Sequence, residues 1–98
     1  CVFDTAHGPM VLTLVGATIV GSMATVWHGT ANPPRSPQIC EWHYDPGAVT
    51  LQQGDEMGRF MLGSTVVLLF ARDTVAFAPQ WMAEKPVRLG EAMATRAA

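Results

Sequence analysis

The stretch that decides the fold is GRFMLGSTVVLLF, residues 58–70. Its second half, residues 65–70, is a run of apolar and β-branched side chains, which predicts a buried strand. Gly63 and Ser64 stand directly before that strand. Judged by residue type alone, a Gly-Ser pair at the entrance of a strand is most often an ordinary edge. The alternative is that the Gly-Ser peptide bond is itself the site of chemistry.

The composition describes one small domain with little charge. The chain has 98 residues, of which 14% are charged, against roughly 25% in an average soluble domain. We therefore expect another part of the protein, or a membrane, to cover apolar surface. The net charge of −2 and the scattered Lys and Arg residues argue against a nucleic-acid partner. The chain opens on Cys1-Val2-Phe3 without an initiator Met, and we interpret it as a piece of a longer protein.

Residues 11–27 raise the question of a membrane span. They are 17 residues without a charge, at the lower bound for a spanning helix. They also contain four Ser or Thr residues and the glycines Gly16 and Gly21, and β-branched residues favour strands. We interpret this segment as two buried strands linked near one of the glycines. Cys1 and Cys40 form no CxxC motif and do not mark a disulfide scaffold.

Turn signals rich in Gly, Pro, Asn and Asp divide the rest of the chain into short apolar runs, which is typical of an all-β barrel or sandwich. The predicted strands are residues 1–4, 10–20, 22–30, 38–44, 48–52, 65–70 and 74–78. Residues 79–84 are weakly helical and residues 31–37 form a Pro-rich loop. The tail, residues 94–98, carries no signal and is expected to fray.

One short internal repeat, an echo of the same pattern at two places in the chain, refines the fold class. Residues 49–58 and 87–94 each contain a strand-like triplet, a glycine, an acid, any residue, a Met and a small residue. The glycine suits a turn that needs positive φ, and the Met is expected to re-enter the core. Paired units of this kind are typical of barrel-sandwich hybrids of the biotinyl and lipoyl type. The sequence therefore predicts such a domain, built of short antiparallel strands.

Polar residues other than Ser64 offer weak candidates. The spacing of Cys40 and His43 is one that begins some zinc sites, but a structural site needs four ligands and no second pair is present. His7, His28 and His43 are interpreted as polar residues of turns and strand edges. The adjacent acids at residues 55–56 are interpreted as a solvated turn.

Ser64 does not belong to the serine elbow of hydrolases. That motif is G-x-S-x-G before a helix, whereas Leu62 and Val66 occupy the glycine positions here. A different chemistry remains open, in which Ser64 Oγ attacks the carbonyl of Gly63. Elimination of the resulting ester and hydrolysis then leave a pyruvoyl group. A preceding glycine presents an unhindered carbonyl for that attack.

The motifs around Ser64 resemble those of a known family. Residues 54–60, GDEMGRF, and residues 62–66, LGSTV, resemble the C-terminal region of the phosphatidylserine decarboxylases. Further segments agree in order and spacing: VFDT at 2–5, GPM at 8–10, VGATIVGS at 15–22, Trp27, GT at 29–30 and PPR at 33–35. The resemblance spans nearly the whole chain and loosens after about Ala71.

The resemblance implies a self-cleaving, pyruvoyl-dependent decarboxylase. Residues 1–98 would be the C-terminal part of a single catalytic domain, so the all-β fold would be incomplete. A cut between Gly63 and Ser64 would leave residues 1–63 at the end of the β subunit and residues 64–98 as the α subunit. Ser64 would become the covalent pyruvoyl cofactor, which forms a Schiff base with phosphatidylserine and releases CO2 and phosphatidylethanolamine. No metal is implied.

The resemblance also implies partners. These are phosphatidylserine, a membrane surface, the remaining N-terminal part of the same protein and, as an open question, a second copy. A bacterial-type member would sit peripherally on the cytoplasmic side of the cell membrane. The Asp and His that drive self-processing lie on segments absent here, and none of the three histidines matches their motif. The fragment alone is therefore expected to be inactive.

Two alternatives stay open. The apolar cluster Met57, Phe60, Met61 and Leu62 is interpreted as core rather than as a lipid approach. A processing-dead or truncated fragment with a biotinyl- or lipoyl-like fold would act only as a structural or binding module. A carrier domain needs a lysine at a hairpin tip, and the only lysine, Lys85, lies away from the repeated turns.

Overall fold

The structure, a computed structural model, describes residues 1–16, 23–31, 38–61 and 65–97. In these residues the chain forms short strands and no helix, in three small sheets of order β1-β2-β6, β4-β3-β5 and β7-β8. The strands are β1 Val2–Thr5, β2 Gly8–Val15, β3 Met23–Thr25, β4 Gly29–Thr30, β5 Gly58–Phe60, β6 Thr65–Phe70, β7 Val75–Phe77 and β8 Ala94–Arg96. The pairs β1–β2, β3–β4, β3–β5 and β7–β8 are antiparallel. The prediction of an all-β fold of short antiparallel strands is confirmed.

The chain divides into two compact units. A terminal unit contains Cys1–Thr13 and Val67–Ala98, and a central unit contains Leu14–Val66. The sheet β4-β3-β5 belongs to the central unit, and the sheet β7-β8 belongs to the terminal unit. The boundaries between the units fall inside β2 and β6.

Several predicted strands are confirmed. Residues 1–4, 65–70 and 74–78 correspond to β1, β6 and β7. The predicted strands at 10–20 and 22–30 correspond to β2 and to β3 with β4, while residues 17–22, including the predicted link at Gly21, lie outside the described residues. No helix in the described ranges has the length and apolarity that crossing a membrane requires.

Three predicted elements are wrong. Residues 38–44 and 48–52 form no strand, because no strand among the described residues pairs with them. A turn around Gly47 (φ 81°) lies between them, and in it Ala48 N–H donates to Asp45 C=O. Residues 79–84 form turns instead of a helix, since Glu84 has a φ of 67°, which a right-handed helix does not allow. The loop predicted at residues 31–37 lies almost entirely outside the described residues.

The prediction that β6 is buried is also wrong for this chain. Val66, Val67 and Leu69 expose 45%, 43% and 58% of their surface. Local sequence predicts the strand itself correctly, whereas burial depends on what packs against it. Nothing within the described residues covers these three side chains fully.

The tail does not fray as predicted. β8 pairs with β7 in the register Val75↔Arg96 and Phe77↔Ala94, and Ala97 N–H donates to Thr74 C=O at 3.0 Å. A strand of three residues leaves no periodic pattern in the sequence, and its stability comes from the partner strand.

The internal echo is real, but its strand lies after the turn and not before it. Gly54 and Gly90 have φ values of 88° and 89°. In each copy, the residue after the glycine donates its N–H to the carbonyl three positions earlier, at 3.0 and 3.2 Å. The predicted turns are therefore confirmed. The triplets before them, residues 49–51 and 87–89, are not strands.

The two copies continue alike beyond the turn. The carbonyl of Met57 accepts the N–H of Val26 at 2.9 Å, and the carbonyl of Met93 accepts the N–H of Ala78 at 2.8 Å. β5 then pairs with β3, and β8 pairs with β7. The repeated unit is thus a glycine turn, a half-buried Met and a short strand on an antiparallel partner.

Gly58 makes the close approach of β5 to β3 possible. A Cβ on this residue would overlap the carbonyl oxygen of Ala24 and lie 3.1 Å from the Cα of Thr25. Its counterpart in the other copy is Ala94, so the repeat itself does not require glycine. The requirement arises from the β3 backbone opposite.

Gly58→Ala is expected to weaken the β3–β5 ladder by about 1–3 kcal/mol, because the new methyl group displaces backbone and not a flexible side chain. Amide hydrogen exchange in the full-length protein would show this as roughly 10- to 100-fold faster exchange at Val26. The Ala78 amide, which makes the equivalent bond in the other copy, serves as internal control and is expected to keep its rate. An unchanged rate at Val26 would contradict the steric account.

Candidate functional site

The predicted cleavage site lies in the short link between two strands. β5 ends at Phe60 and β6 begins at Thr65. Met61 is 54% exposed, and residues 62–64, which include Gly63 and Ser64, lie outside the described residues. The structure therefore describes what holds the chain on each side of the Gly63–Ser64 bond.

The upstream side is held by β3. Met23 pairs with Phe60, and Thr25 pairs with Gly58. Within the strand, Arg59 donates from Nε to Oε1 of Glu56, which precedes the strand, at 2.8 Å. This ion pair is exposed at both side chains, so it contributes at most about 1 kcal/mol. The main-chain ladder and the close fit at Gly58 position this strand.

Thr25 is a feature that sequence reasoning missed. It exposes only 8% of its surface, and its Oγ1 is buried without a hydrogen-bond partner among the described residues. A buried hydroxyl left without a partner costs about 1–3 kcal/mol. Threonine is ordinary in a strand, so no sequence signal distinguishes this residue before its neighbours are known.

The downstream side is held by β2. β6 is the neighbour of β2 in the sheet β1-β2-β6, and Thr65, the first residue of β6, is exposed. At the other end of β6, the ring of Phe70 meets that of Phe77 edge-on, with 6.0 Å between centroids and 67° between planes. Contacts beyond the link thus hold the strand that follows Ser64.

The apolar cluster beside the link is less buried than predicted. Met57 and Phe60 are half-buried, and Met61 is exposed, while Leu62 lies outside the described residues. The interpretation of this cluster as core is wrong for Met61. The reason is that Met61 follows the last paired residue of β5.

His7 lies in the turn between β1 and β2, as predicted. Its N–H donates to Thr5 Oγ1 at 3.1 Å, and that hydroxyl donates to the carbonyl of Gly8 at 2.6 Å. The residue supports a hairpin and faces solvent.

His28 belongs to an aromatic cluster in the central unit. Its Nδ1 forms a hydrogen bond with Tyr44 Oη at 2.9 Å, and its ring centroid is 4.3 Å from that of Trp42. These contacts hold the segment after residue 38 against the β3–β4 turn. They give His28 a structural role.

His43 and Cys40 do not assemble a metal site in the described residues. His43 Nε2 lies 3.4 Å from Glu41 Oε2, both side chains being exposed, and Cys40 is an exposed free thiol. No group of three His, Cys, Asp or Glu residues in the described ranges is arranged to hold a metal ion.

The acids at residues 55–56 form the solvated turn that the sequence predicts. Asp55 Oδ2 accepts the N–H of Gln52 at 2.9 Å, and both acids are exposed. Lys85 lies in the long irregular connection between β7 and β8. It is not at the tip of a tight hairpin, where a carrier domain would need it.

Comparison with known proteins identifies relatives of much greater length. A family model described as "Phosphatidylserine decarboxylase" matches residues 1–95. A protein of Variovorax paradoxus (strain S110), named "Phosphatidylserine decarboxylase proenzyme", is 65% identical over 97 residues, which are 99% of this chain and 34% of the relative. Relatives of the same name from Acidovorax ebreus (strain TPSY) and Dechloromonas aromatica (strain RCB) are 68% and 60% identical over 98% and 99% of the chain.

The chain spans about a third of the length of these relatives, 34% in each of the three. No solved structure matches it.

Thr25→Val is expected to keep or raise the stability of the β3–β5 ladder, because it preserves shape and removes the orphan hydroxyl. Thr25→Ser is the matched control: it keeps the hydroxyl, deletes a methyl group and should cost about 1 kcal/mol. Opening free energies from amide exchange of β3 and β5 in the full-length protein measure both effects. A larger loss for Thr25→Val than for Thr25→Ser would show that the hydroxyl is bonded to a group outside the described residues.

Proposed function

Since the chain belongs to the phosphatidylserine decarboxylase family, we propose that it is the part of a decarboxylase proenzyme that carries the self-cleavage site, the Gly63–Ser64 peptide bond. The observation that carries the proposal is the position of this bond between β5 and β6, inside the sequence motif of residues 54–66. Residues 1–63 would join the larger β subunit, and residues 64–98 would form the α subunit of one catalytic domain.

The cleavage and the formation of the pyruvoyl group need the two residues, groups that accept and donate protons, and one water molecule. Ser64 Oγ attacks the carbonyl carbon of Gly63, and the C–N bond breaks as the nitrogen takes up a proton. Loss of the Ser64 Cα proton then breaks the Cβ–O bond and releases Gly63 as a carboxylate. Water replaces the nitrogen of the remaining enamine, ammonia leaves, and a pyruvoyl group caps the new chain. A glycine before the serine favours the attack because its carbonyl is unhindered.

The sheet arrangement supports a cut that does not release either product. β1 and β2 lie before the bond, β6 lies after it, and the three form one sheet. The two products therefore remain hydrogen-bonded through β2 and β6 after the peptide bond is gone. β5 is likewise held by β3, so the new carboxyl end emerges from a paired strand.

The chain would contribute the reactive group, and the rest of the protein would contribute the proton transfer. When formed, the pyruvoyl ketone supplies an electron sink for removing CO2 from the amino-acid headgroup of phosphatidylserine. This residue-derived group needs no metal. The histidines of the described residues are engaged in the hairpin turn, the aromatic cluster and an exposed pair with Glu41. We therefore assign the base for self-processing to the polypeptide outside these residues.

A lipid substrate and a peripheral membrane position are consistent with the surface of this chain. Charged residues are 14% of the sequence, and large apolar side chains such as Ile39, Met82 and Leu89 are exposed. We propose that the complete protein binds the cytoplasmic side of a cell membrane, as a monomer or homodimer. The alternative is a truncated or processing-dead protein that serves only as a structural or binding module.

Ser64→Ala in the full-length protein is expected to leave one uncut chain on a denaturing gel and no release of CO2 from phosphatidylserine vesicles. Loss of the hydroxyl removes the nucleophile. Thr65→Ala is the matched control, because it alters the neighbouring, exposed hydroxyl and should still give two chains.

A Ser64→Ala protein that is still cut would contradict the proposed mechanism. A wild-type full-length protein that stays uncut would support the alternative of an inert module.

A further inference from the structure

The described residues leave much of their apolar surface exposed. Large side chains such as Ile39, Met82 and Leu89 expose more than half of their surface. Among the described residues, no large side chain is fully buried. Large apolar surface of this kind marks a contact site.

The exposure of apolar side chains is clearest in β6. From residue 67 onward its side chains alternate: Leu68 and Phe70 are half-buried, and Phe70 contacts Phe77. Val67 and Leu69 point to the other face and are 43% and 58% exposed. A strand with one solvated face carries polar residues there, whereas a strand that is apolar on both faces is one that is covered on both faces.

The edge of β6 is equally unprotected. In the sheet β1-β2-β6 both outer strands have an edge without a strand partner among the described residues. β1 is short and carries Asp4, which are two common means of blocking unwanted pairing. β6 is longer, and its sequence TVVLLF contains no charge, glycine or proline. Since no strand of the described residues pairs with this edge, its main-chain N–H and C=O groups can accept another strand.

We propose that the free edge of β6 and its outer face, Val67 and Leu69, are the docking surface for an extended segment of the remaining proenzyme polypeptide. The relatives indicate where the docked segment comes from, since about two thirds of each relative lies outside the matched part. An extended polypeptide fits both parts of this surface, because its main chain can pair with the edge of β6 and its side chains can cover Val67 and Leu69. Lipid cannot satisfy the edge, since hydrocarbon offers no hydrogen-bond partner. The inference rests on the proposed function, in that both require the longer proenzyme.

The docking would place β6 in the interior of a larger sheet. The strand that follows Ser64 would then be held by β2 on one edge and by the added segment on the other. Such a strand resists local opening more than an edge strand does. The docked segment would thereby hold the residue that bears the reactive group after cleavage.

Amide exchange across β6 in the full-length protein tests this docking. Successive N–H groups of a strand point to opposite edges, so residues 65, 67 and 69 form one set and residues 66, 68 and 70 the other. Without a docked segment, only the set facing β2 is protected. We expect both sets to exchange at least about 100-fold more slowly than the irregular residues 87–89.

Slow exchange must hold at low protein concentration and without lipid. An outward set that exchanges as fast as residues 87–89 would overturn the proposal. Protection that appears only as protein concentration rises would assign the surface to a second copy, and protection that appears only with phosphatidylcholine or phosphatidylserine vesicles would assign it to a membrane. Either result also overturns the proposal.

Two variants separate docking from general folding. Leu69→Lys places a charge on the outer face and is expected to abolish protection of the outward set while residues 8–15 stay protected. Leu89→Lys, at an exposed position outside the strands, is the control and should change neither. If Leu69→Lys prevents folding, the exchange pattern of the wild type still decides the question. Amide exchange of β6 can also be measured in the uncut Ser64→Ala protein. Loss of protection there would count against the docking, whereas loss of cleavage in the wild type would count against the proposed activity.

Discussion

The pairing of β2 with β6 is the interaction on which the rest of the account depends. It joins a strand that precedes the Gly63–Ser64 bond to the strand that follows it. A protein that cuts its own backbone must keep both new ends in place without the covalent bond, and hydrogen bonds between strands do this. Because β6 begins at Thr65, directly after the serine, the same pairing would also limit the freedom of the chain end that the proposed cut creates.

Much of the fold could be predicted because local signals agree with it. β1, β6 and β7 follow from short apolar runs between turns, and the positive φ of Gly54 and Gly90 follows from their place in the repeated pattern. β5 and β8, with the sequences GRF and ATR, could not be predicted, since each contains an arginine and no apolar run and depends on a partner strand. The false strand at residues 48–52 has the opposite cause: apolar residues are present, but no strand in the described part of the chain pairs with them.

The sequence motif of the site could be predicted, whereas the contacts that hold the neighbouring strands in place could not. Gly63, Ser64 and the preceding EMGRF motif can be identified from sequence because they resemble the motifs of a known family. The overlap of a Gly58 Cβ with the Ala24 carbonyl and the buried hydroxyl of Thr25 depend on a neighbouring strand, so no local pattern indicates them. The exposure of Val66, Val67 and Leu69 could not be predicted either, since it depends on what packs against β6 and not on the local sequence.

The most direct test of the central claim is the intact mass of the small chain from wild-type full-length protein, before and after treatment with a carbonyl-specific reagent. We predict a chain that starts at position 64, is lighter by one ammonia than the same chain beginning with serine, and gains one equivalent of the reagent. A small chain of unmodified serine-start mass that does not react, or a cut at another bond, would contradict it.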